Sequence, residues 1–163
     1  MNRHLKLALA AALAAFALHS DAFAFTTATG TLTVTAAIGT TCSVNNTGIN
    51  FGTVVTTAAT TTSGNVSVNC SNGLVFSLDL DNGVQPSGTA NRQLANGANR
   101  LGYNIYTTNT FTQVWGSAMT GGTSQSFTGT GANQSISAFV KIPIQAAPPT
   151  GIYTDTVTVS AVF

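Results

Sequence analysis

The sequence has very few ionisable side chains. It contains no glutamate, and its five lysines and arginines are balanced by four aspartates. Both histidines, His4 and His19, fall within the first 24 residues. Such a chain has no basic stripe to neutralise phosphates and no polybasic segment to approach anionic lipid. The composition therefore argues against nucleic-acid binding and against electrostatic attachment to a membrane.

Groups that could carry catalysis are equally scarce. A serine or cysteine nucleophile needs a neighbouring base, and no histidine follows residue 24. Asp79 and Asp81 are the one close pair of carboxylates, and they run into an Asp-Asn-Gly turn. A glycosidase pair, or a calcium site completed by Asn82, is the alternative to a solvated strand end, although the spacing matches no EF-hand loop. We predict no enzymatic activity, no catalytic residue, no cofactor and no metal site.

The first 24 residues have the features of a secretory signal peptide. Arg3 and Lys6 give a positive start, and an apolar run from Leu7 to Leu18 follows. This run is shorter than the roughly 20 residues that cross a membrane. Ala22-Phe23-Ala24 is a typical cleavage site. We therefore expect a secreted mature chain that begins at Phe25.

The mature chain has two cysteines, Cys42 and Cys70. In the oxidising compartment that a signal peptide implies, a disulfide is the default expectation. It would close a loop of roughly 28 residues and contribute about 3.5 kcal/mol in the chain-entropy treatment. A zinc site would lack ligands, since there is no further cysteine and no histidine beside them. A reactive thiol is the remaining alternative.

Hydrophobic periodicity after residue 24 indicates strands and no helix. Short alternating runs are separated by clusters of Gly, Asn, Ser and Thr, as in an all-β sandwich or barrel. No linker divides the chain, so we predict a single domain, with a short additional strand at Phe127. The predicted strands are Thr29–Ile38, Ile49–Val55, Asn65–Cys70, Leu74–Leu80, Leu101–Thr107, Thr112–Trp115, Ser135–Ile144 and Tyr153–Phe163.

The first predicted strand is strongly amphipathic. Because side chains alternate along a strand, one face is apolar and the other carries threonines. A strand of this kind near a free terminus either completes its own sheet or completes the sheet of another molecule. The apolar face consists of Gly30, Leu32, Val34, Ala36 and Ile38.

Three aromatic residues raise the possibility of sugar binding. Tyr103, Tyr106 and Trp115 could stack on sugar rings, or they could pack in the core and on a sheet face. We favour packing. Since Tyr103 and Tyr106 have opposite parity, at most one of them faces inward in a regular strand.

Several short motifs occur in a fixed order along the mature chain. Together they resemble the spore coat protein U domain, the family that includes Csu-type (archaic) chaperone–usher pilus subunits of Gram-negative bacteria. The resemblance extends over essentially the whole mature chain. The motifs are Asn50-Phe51-Gly52, the run from Gly64 to Cys70, Leu101-Gly-Tyr-Asn-Ile-Tyr106, Trp115-Gly116, the run from Gly151 to Val159 and the terminal Phe163.

This resemblance implies an incomplete immunoglobulin-like β-sandwich that lacks its last strand. In the family, a periplasmic chaperone lends a strand, and the N-terminal strand of the next subunit replaces it at the outer-membrane usher. The implied division is residues 25–40 as the donor strand and residues 41–163 as the domain. The donor positions would be those of the apolar face, with Ala36 smaller than the residue that the family often has there. Val157, Val159 and Phe163 would line the acceptor groove.

The resemblance therefore implies a non-enzymatic pilus subunit that polymerises by donor-strand exchange and supports adhesion or biofilm formation. It would pass through the periplasm to the cell surface of a Gram-negative bacterium. Its partners would be neighbouring subunits, a chaperone and an usher, with no nucleic acid and no stable membrane insertion. The alternatives are a self-contained secreted coat protein whose first strand folds back, a small outer-membrane β-barrel and a sugar-binding module.

Overall fold

A computed structural model describes residues 26–46, 48–87 and 90–163. The predicted signal peptide, residues 1–24, lies outside the described residues. The chain divides into two units, Met1–Ala37 and Ile38–Phe163. Residues 26–41 contain no strand, so the predicted strand Thr29–Ile38 is wrong for the single chain. The physical reason is that a strand requires a hydrogen-bonded neighbour, and no other described residues pair with this segment. The proposed division into residues 25–40 and 41–163 stays a prediction.

The second unit is a sandwich of two antiparallel sheets. The larger sheet has the strand order β1-β2-β7-β5-β4, and the smaller has the order β6-β3-β8. This confirms the predicted all-β sandwich. The described residues include no helix that could cross a membrane. The strands are β1 (Cys42–Asn46), β2 (Thr60–Cys70), β3 (Val75–Leu80), β4 (Arg92–Asn96), β5 (Asn99–Tyr106), β6 (Gln125–Thr128), β7 (Asn133–Ile142) and β8 (Val159–Val162).

Strand alternation determines which side chains enter the core. In β2 and β7, the long central pair, partners run from Thr60 opposite Ile142 to Asn69 opposite Asn133. Their apolar residues face the smaller sheet, and their Ser, Thr and Asn residues face outward. The buried apolar side chains are Val66, Val68, Cys70, Phe76, Leu78, Leu80, Leu101, Tyr103, Ile105, Trp115, Ala138, Val140 and Ile142.

The aromatic residues pack as structural elements. Trp115 is fully buried, and its indole N–H donates a hydrogen bond to the carbonyl of Leu78 at 3.0 Å. Tyr103 is also buried, so neither ring is free to stack on a sugar. Tyr106 lies on the opposite face of β5 and meets the ring of Phe111 edge-on at 5.4 Å. The expectation that only one of the two tyrosines faces inward is therefore confirmed.

Besides Thr29–Ile38, three predicted strands differ from those observed. Ile49–Val55 is not a strand, because Gly52 has a φ of +67° and its N–H bonds the side chain of Asn50, which turns the chain. Thr112–Trp115 contributes only isolated bridges. The last strand is confined to β8, because residues 153–158 have no continuous neighbouring strand. The sequence also failed to indicate β1 and β4, which are short and largely polar.

The predicted disulfide between Cys42 and Cys70 is present. These residues are direct partners in the register of β1 and β2. Just beyond them, the amide of Ser71 donates to the carbonyl of Thr41, and the amide of Thr41 donates to the Ser71 hydroxyl, both at 2.9 Å. The crosslink thus fixes the start of β1 beside the end of β2.

Replacing both cysteines with alanine should lower the free energy of unfolding of residues 25–163 by about 3.5 kcal/mol, because the unfolded chain regains the loop entropy that the crosslink removes. Urea unfolding followed by Trp115 fluorescence measures this change. Oxidised and reduced wild-type protein form a matched control, since reduction opens the same loop without altering a residue. An unchanged unfolding midpoint on reduction would contradict a stabilising crosslink.

Candidate functional site

A groove of about 1440 Å³ opens within the second unit, between its two sheets. Its floor is formed by core side chains of the larger sheet, among them Leu101, Tyr103, Ile105 and Val140. Its two walls are residues 48–57 on one side and residues 147–157 with Val159 on the other. We call these the first wall and the second wall. A ligand site for a small molecule usually encloses about 300–1,000 Å³, so this groove suits an extended peptide better.

The first wall, residues 48–57, lies against the domain without forming a strand. Its half-buried apolar side chains pack against the core. Ile49 comes so close to β2 that a Cβ atom at Gly64 would lie 2.5 Å from its Cγ1 atom. The wall therefore depends on a glycine at position 64, within one of the motifs on which the family resemblance rests.

The second wall continues into β8, which is an edge strand of the smaller sheet. Before β8 begins, the wall pairs with the larger sheet at one isolated bridge. There the amide of Ala95 donates to the carbonyl of Thr154 at 2.8 Å, and the amide of Thr154 donates back at 3.0 Å. Pro148 and Pro149 have no N–H to contribute to a ladder. Much of this wall therefore lacks strand partners within the described chain.

Two carboxylates hold the second wall in place of a ladder. Tyr103 Oη donates to Asp155 Oδ2 at 2.7 Å, and the amides of Val84 and Thr156 donate to Asp155 Oδ1 at 2.9 and 2.8 Å. Asp81 Oδ1 accepts hydrogen bonds from the amides of Gly83 and Thr158, each at 2.9 Å. The polar end of the groove is thus a hydrogen-bonded cluster.

The cluster alters the protonation of its members. Partial burial raises the pKa of Asp81, but the hydrogen bonds from Thr158 and Gly83, with the nearby charge of Arg92, outweigh it and hold that pKa below its ordinary value. Burial, followed by the hydrogen bond to Asp155, raises the pKa of the Tyr103 phenol. Burial lowers the pKa of the Arg92 guanidinium, which neighbouring Tyr103 and the two aspartates partly offset.

Of the three predicted groove residues, two line the groove and one does not. Val157 and Val159 are half-buried and line the groove. Phe163 is 59% exposed and lies outside the lining. Phe51, Leu94 and Ile105 also line the groove, although they were not predicted to do so. The Asn-Phe-Gly and Tyr-Asn-Ile-Tyr motifs contain Phe51 and Ile105. The sequence therefore marked these two residues as part of the family pattern but did not indicate that they line the groove.

The predicted donor residues carry unusually exposed apolar side chains. Leu32, Val34 and Ile38 are 89%, 83% and 97% exposed. Single exposed apolar residues are common on proteins, but several in alternate positions of one segment indicate an interaction surface. Gly30 and Ala36 occupy the first and fourth positions of the same alternating pattern. Their role as a donor strand stays a prediction.

The aspartates considered for metal binding do not converge on a site. Among the described residues, no group of three or more His, Cys, Asp or Glu side chains could hold a metal ion. Asp79 lies on the outer face of β3 and accepts a hydrogen bond from the Ser124 hydroxyl. Asp81 instead faces Gly83 and Thr158, so the two carboxylates serve separate structural contacts.

Comparison with known proteins identifies a domain family and a related structure. The Spore Coat Protein U domain matches residues 28–160. Among curated protein sequences, none matches the chain significantly. A chain in the crystal structure of the CsuC–CsuE chaperone–tip adhesion subunit pre-assembly complex, from the archaic chaperone–usher Csu pili of Acinetobacter baumannii, is 25% identical with a TM-score of 0.57. The match covers 76% of this chain but 40% of that chain, so this chain spans less than half of its length.

The hydrogen bonds to Asp81 predict a pH-dependent stability. Because its folded pKa lies below its unfolded value, Asp81 contributes stability that is fully present above the unfolded pKa and is lost as the pH falls through the folded pKa. Wild-type stability should therefore decrease below about pH 4. Asp81→Asn should give a flatter profile there, measured by urea unfolding at a series of pH values.

Asp79→Asn is the matched control for this experiment, since it leaves the hydrogen bonds of Gly83 and Thr158 intact. A profile for Asp81→Asn as steep as that of the wild type would show that the Asp81 carboxylate is not responsible.

Proposed function

Since the chain belongs to the spore coat protein U domain family, we propose that it is a structural subunit of a chaperone–usher surface pilus. In this proposal, the apolar groove of each subunit receives the N-terminal segment of the next. The observation that carries the proposal is the pairing, within one chain, of an open apolar groove with an exposed apolar segment of alternating pattern. The role is structural and involves no catalysis.

The proposed donor segment is similar in length to the strands of the groove floor, since β5 has 8 residues and β7 has 10. In an extended chain, Gly30 and Ile38 are separated by about 27 Å at 3.3–3.4 Å per residue. Every second side chain along that length is apolar, and the threonines between them would face solvent. An inserted strand would therefore cover the floor around Ile105 and Val140, and its threonine face would stay exposed to solvent.

Backbone hydrogen bonding also favours strand insertion. β8 is an edge of the smaller sheet, and the two groove walls carry backbone groups with few ladder partners within the described chain. Adding a strand beside such edges is β-augmentation, in which main-chain bonds give affinity and alternate side-chain pockets give specificity. Edges of this kind otherwise promote uncontrolled pairing.

Apolar burial provides the main driving force for insertion. Covering Leu32, Val34 and Ile38 would contribute roughly 5–9 kcal/mol at about 1.5–3 kcal/mol for each side chain. Ala36 contributes less because of its size. Ordering the backbone costs about 1–2 kcal/mol for each residue of the segment, so apolar burial offsets only part of that cost. The main-chain hydrogen bonds of the added strand must contribute the rest.

Head-to-tail insertion leads to a fibre. The donor segment and the groove are different surfaces, so the contact is heterologous, and a heterologous contact that does not close on itself yields an open filament. The groove of a subunit awaiting assembly would be filled by a periplasmic chaperone, and exchange would occur at an outer-membrane usher. Adhesion and biofilm formation are the proposed cellular roles of the resulting surface fibre.

The donor-strand proposal predicts that the domain lacking residues 25–39 is stabilised by a synthetic peptide of residues Thr26–Thr40. At about 100 times the dissociation constant, binding adds about 2.7 kcal/mol, which raises the melting temperature of a domain of this size by about 10 °C. Leu32→Asp in the peptide should abolish the shift, because it places a charge in the apolar groove. Thermal unfolding measures both effects.

Thr33→Asp in the peptide is the matched control, since position 33 would face solvent and the shift should persist. If the truncated domain is as stable as residues 25–163 and ignores the peptide, the donor-strand proposal fails. If residues 25–163 remain monomeric yet are far more stable than the truncated domain, the segment folds back into its own groove. That outcome would favour the self-contained coat protein.

A further inference from the structure

The second wall has little conventional support where it borders the groove. Within the described residues, backbone pairing of residues 147–158 with other strands is limited to the bridge between Ala95 and Thr154 and to the amide of Asp81, which donates to the carbonyl of Thr158 at 3.1 Å. A segment with few backbone bonds and little burial opens locally at low free-energy cost. Ile152 is 84% exposed, so packing secures the start of this wall poorly. Something other than strand pairing must keep the wall in place before a strand arrives.

We propose that Asp155, held by Tyr103 and by the turn at residues 81–84, is a clamp that keeps residues 154–158 in the position that accepts an incoming strand. Asp155 and Tyr103 are then positioning residues, acting on the wall and not on the incoming strand. This inference rests on the proposed function and specifies how its groove is kept ready.

The clamp spans the groove from floor to wall. Tyr103 belongs to β5 and lines the floor, whereas Asp155 belongs to the second wall, so their 2.7 Å hydrogen bond ties one to the other. Because burial raises the pKa of the Tyr103 phenol, it remains a donor throughout the physiological range. Charge-assisted hydrogen bonds are about twice as strong as neutral ones, which suits a carboxylate for this role.

The turn at residues 81–84 is itself rigidly placed. Arg92 is 1% exposed, and its Nε and Nη2 atoms donate to the carbonyl of Asp81 at 2.8 and 2.6 Å. Nη2 also donates to the carbonyl of Trp115 at 2.9 Å, which connects the turn to the core. Gly83 has a φ of +78°, and a Cβ atom there would overlap the Asp155 carboxylate. The turn can therefore lie this close to Asp155 only because residue 83 is a glycine.

The clamp should affect strand capture through the population of the ready wall. If a wall is in place for only a fraction of the time, the apparent dissociation constant rises by the inverse of that fraction. A wall in position one-tenth of the time would thus bind about ten-fold more weakly. Because Tyr103→Phe keeps the ring that lines the floor, the effect would appear with the apolar lining of the groove unchanged.

The first test is amide hydrogen exchange on residues 25–163 carrying Leu32→Asp, which disables the donor segment and leaves the groove free. Asp155→Ala should accelerate exchange at the amides of Val84 and Thr156 by about ten-fold or more, because both lose a charged acceptor. The β2 and β7 amides should keep their protection. A uniform acceleration across the domain, or none at residues 84 and 156, would overturn the clamp.

The second test measures binding of a fluorescent Thr26–Thr40 peptide to the same chain by anisotropy. Tyr103→Phe removes one hydroxyl but keeps the ring, and it should weaken binding about ten-fold. Tyr106→Phe, on the outer face of the same strand, is the matched control and should bind as the parent does. Asp155→Asn retains a carbonyl acceptor, so it should bind more tightly than Asp155→Ala.

The outcomes separate the two proposals. If the parent and Tyr103→Phe bind the peptide equally, the clamp is wrong and the donor-strand function stands. If the parent chain itself fails to bind, the proposed function fails, and the clamp as a strand-accepting device fails with it.

Discussion

The apolar floor between the two sheets is the constraint on which the rest of this structure depends. Side chains of β5 and β7 are oriented toward the smaller sheet, yet the walls at residues 48–57 and 147–157 leave a groove of about 1440 Å³ above them. Sandwich cores are normally closed to the density of an organic crystal. Asp155 of the carboxylate cluster lines this opening, and the buried Arg92 holds the turn that contacts Asp155.

The sequence predicted those strands whose two faces differ clearly. β2, β3, β5 and β7 alternate between apolar and small polar residues, and a strand was predicted at each of them. β4 was not predicted because it begins with Arg92. This arginine is buried, and its guanidinium donates hydrogen bonds to the carbonyl groups of Asp81 and Trp115. An alternating pattern of apolar and polar residues cannot indicate a buried charge whose hydrogen-bond partners lie in distant loops. Gly52, with its positive φ, similarly interrupts a run that otherwise has strand composition.

The second wall is the most instructive difference between pattern and structure. Residues 153–158 alternate as a strand should, with Tyr153 and Val157 half-buried, but hydrogen bonding makes a strand of only Val159–Val162. A strand pattern without a strand neighbour is what an acceptor edge would show before insertion. The carboxylate cluster was beyond sequence reasoning, since Asp155 meets Tyr103 and Val84 across 52 and 71 residues. Even so, Tyr103 and Asp155 each belong to a motif of the family resemblance, and the fold brings them together at the groove.

The scarcity of charge limits how a subunit of this kind could recognise its partner. Between residues 25 and 163 there are three cations and three carboxylates, and Arg92, Asp81 and Asp155 already serve internal contacts. Electrostatic steering therefore contributes little to association, and specificity must come from shape and register. Register is well defined in the proposed donor segment, because a shift of one residue would turn every threonine inward and every apolar residue outward. A shift of two residues is opposed more weakly, by the uneven sizes of Gly30, Leu32 and Ala36. The small residues of the segment thus help to define its register, because a strand of uniformly large side chains would fit equally well after a shift of two residues.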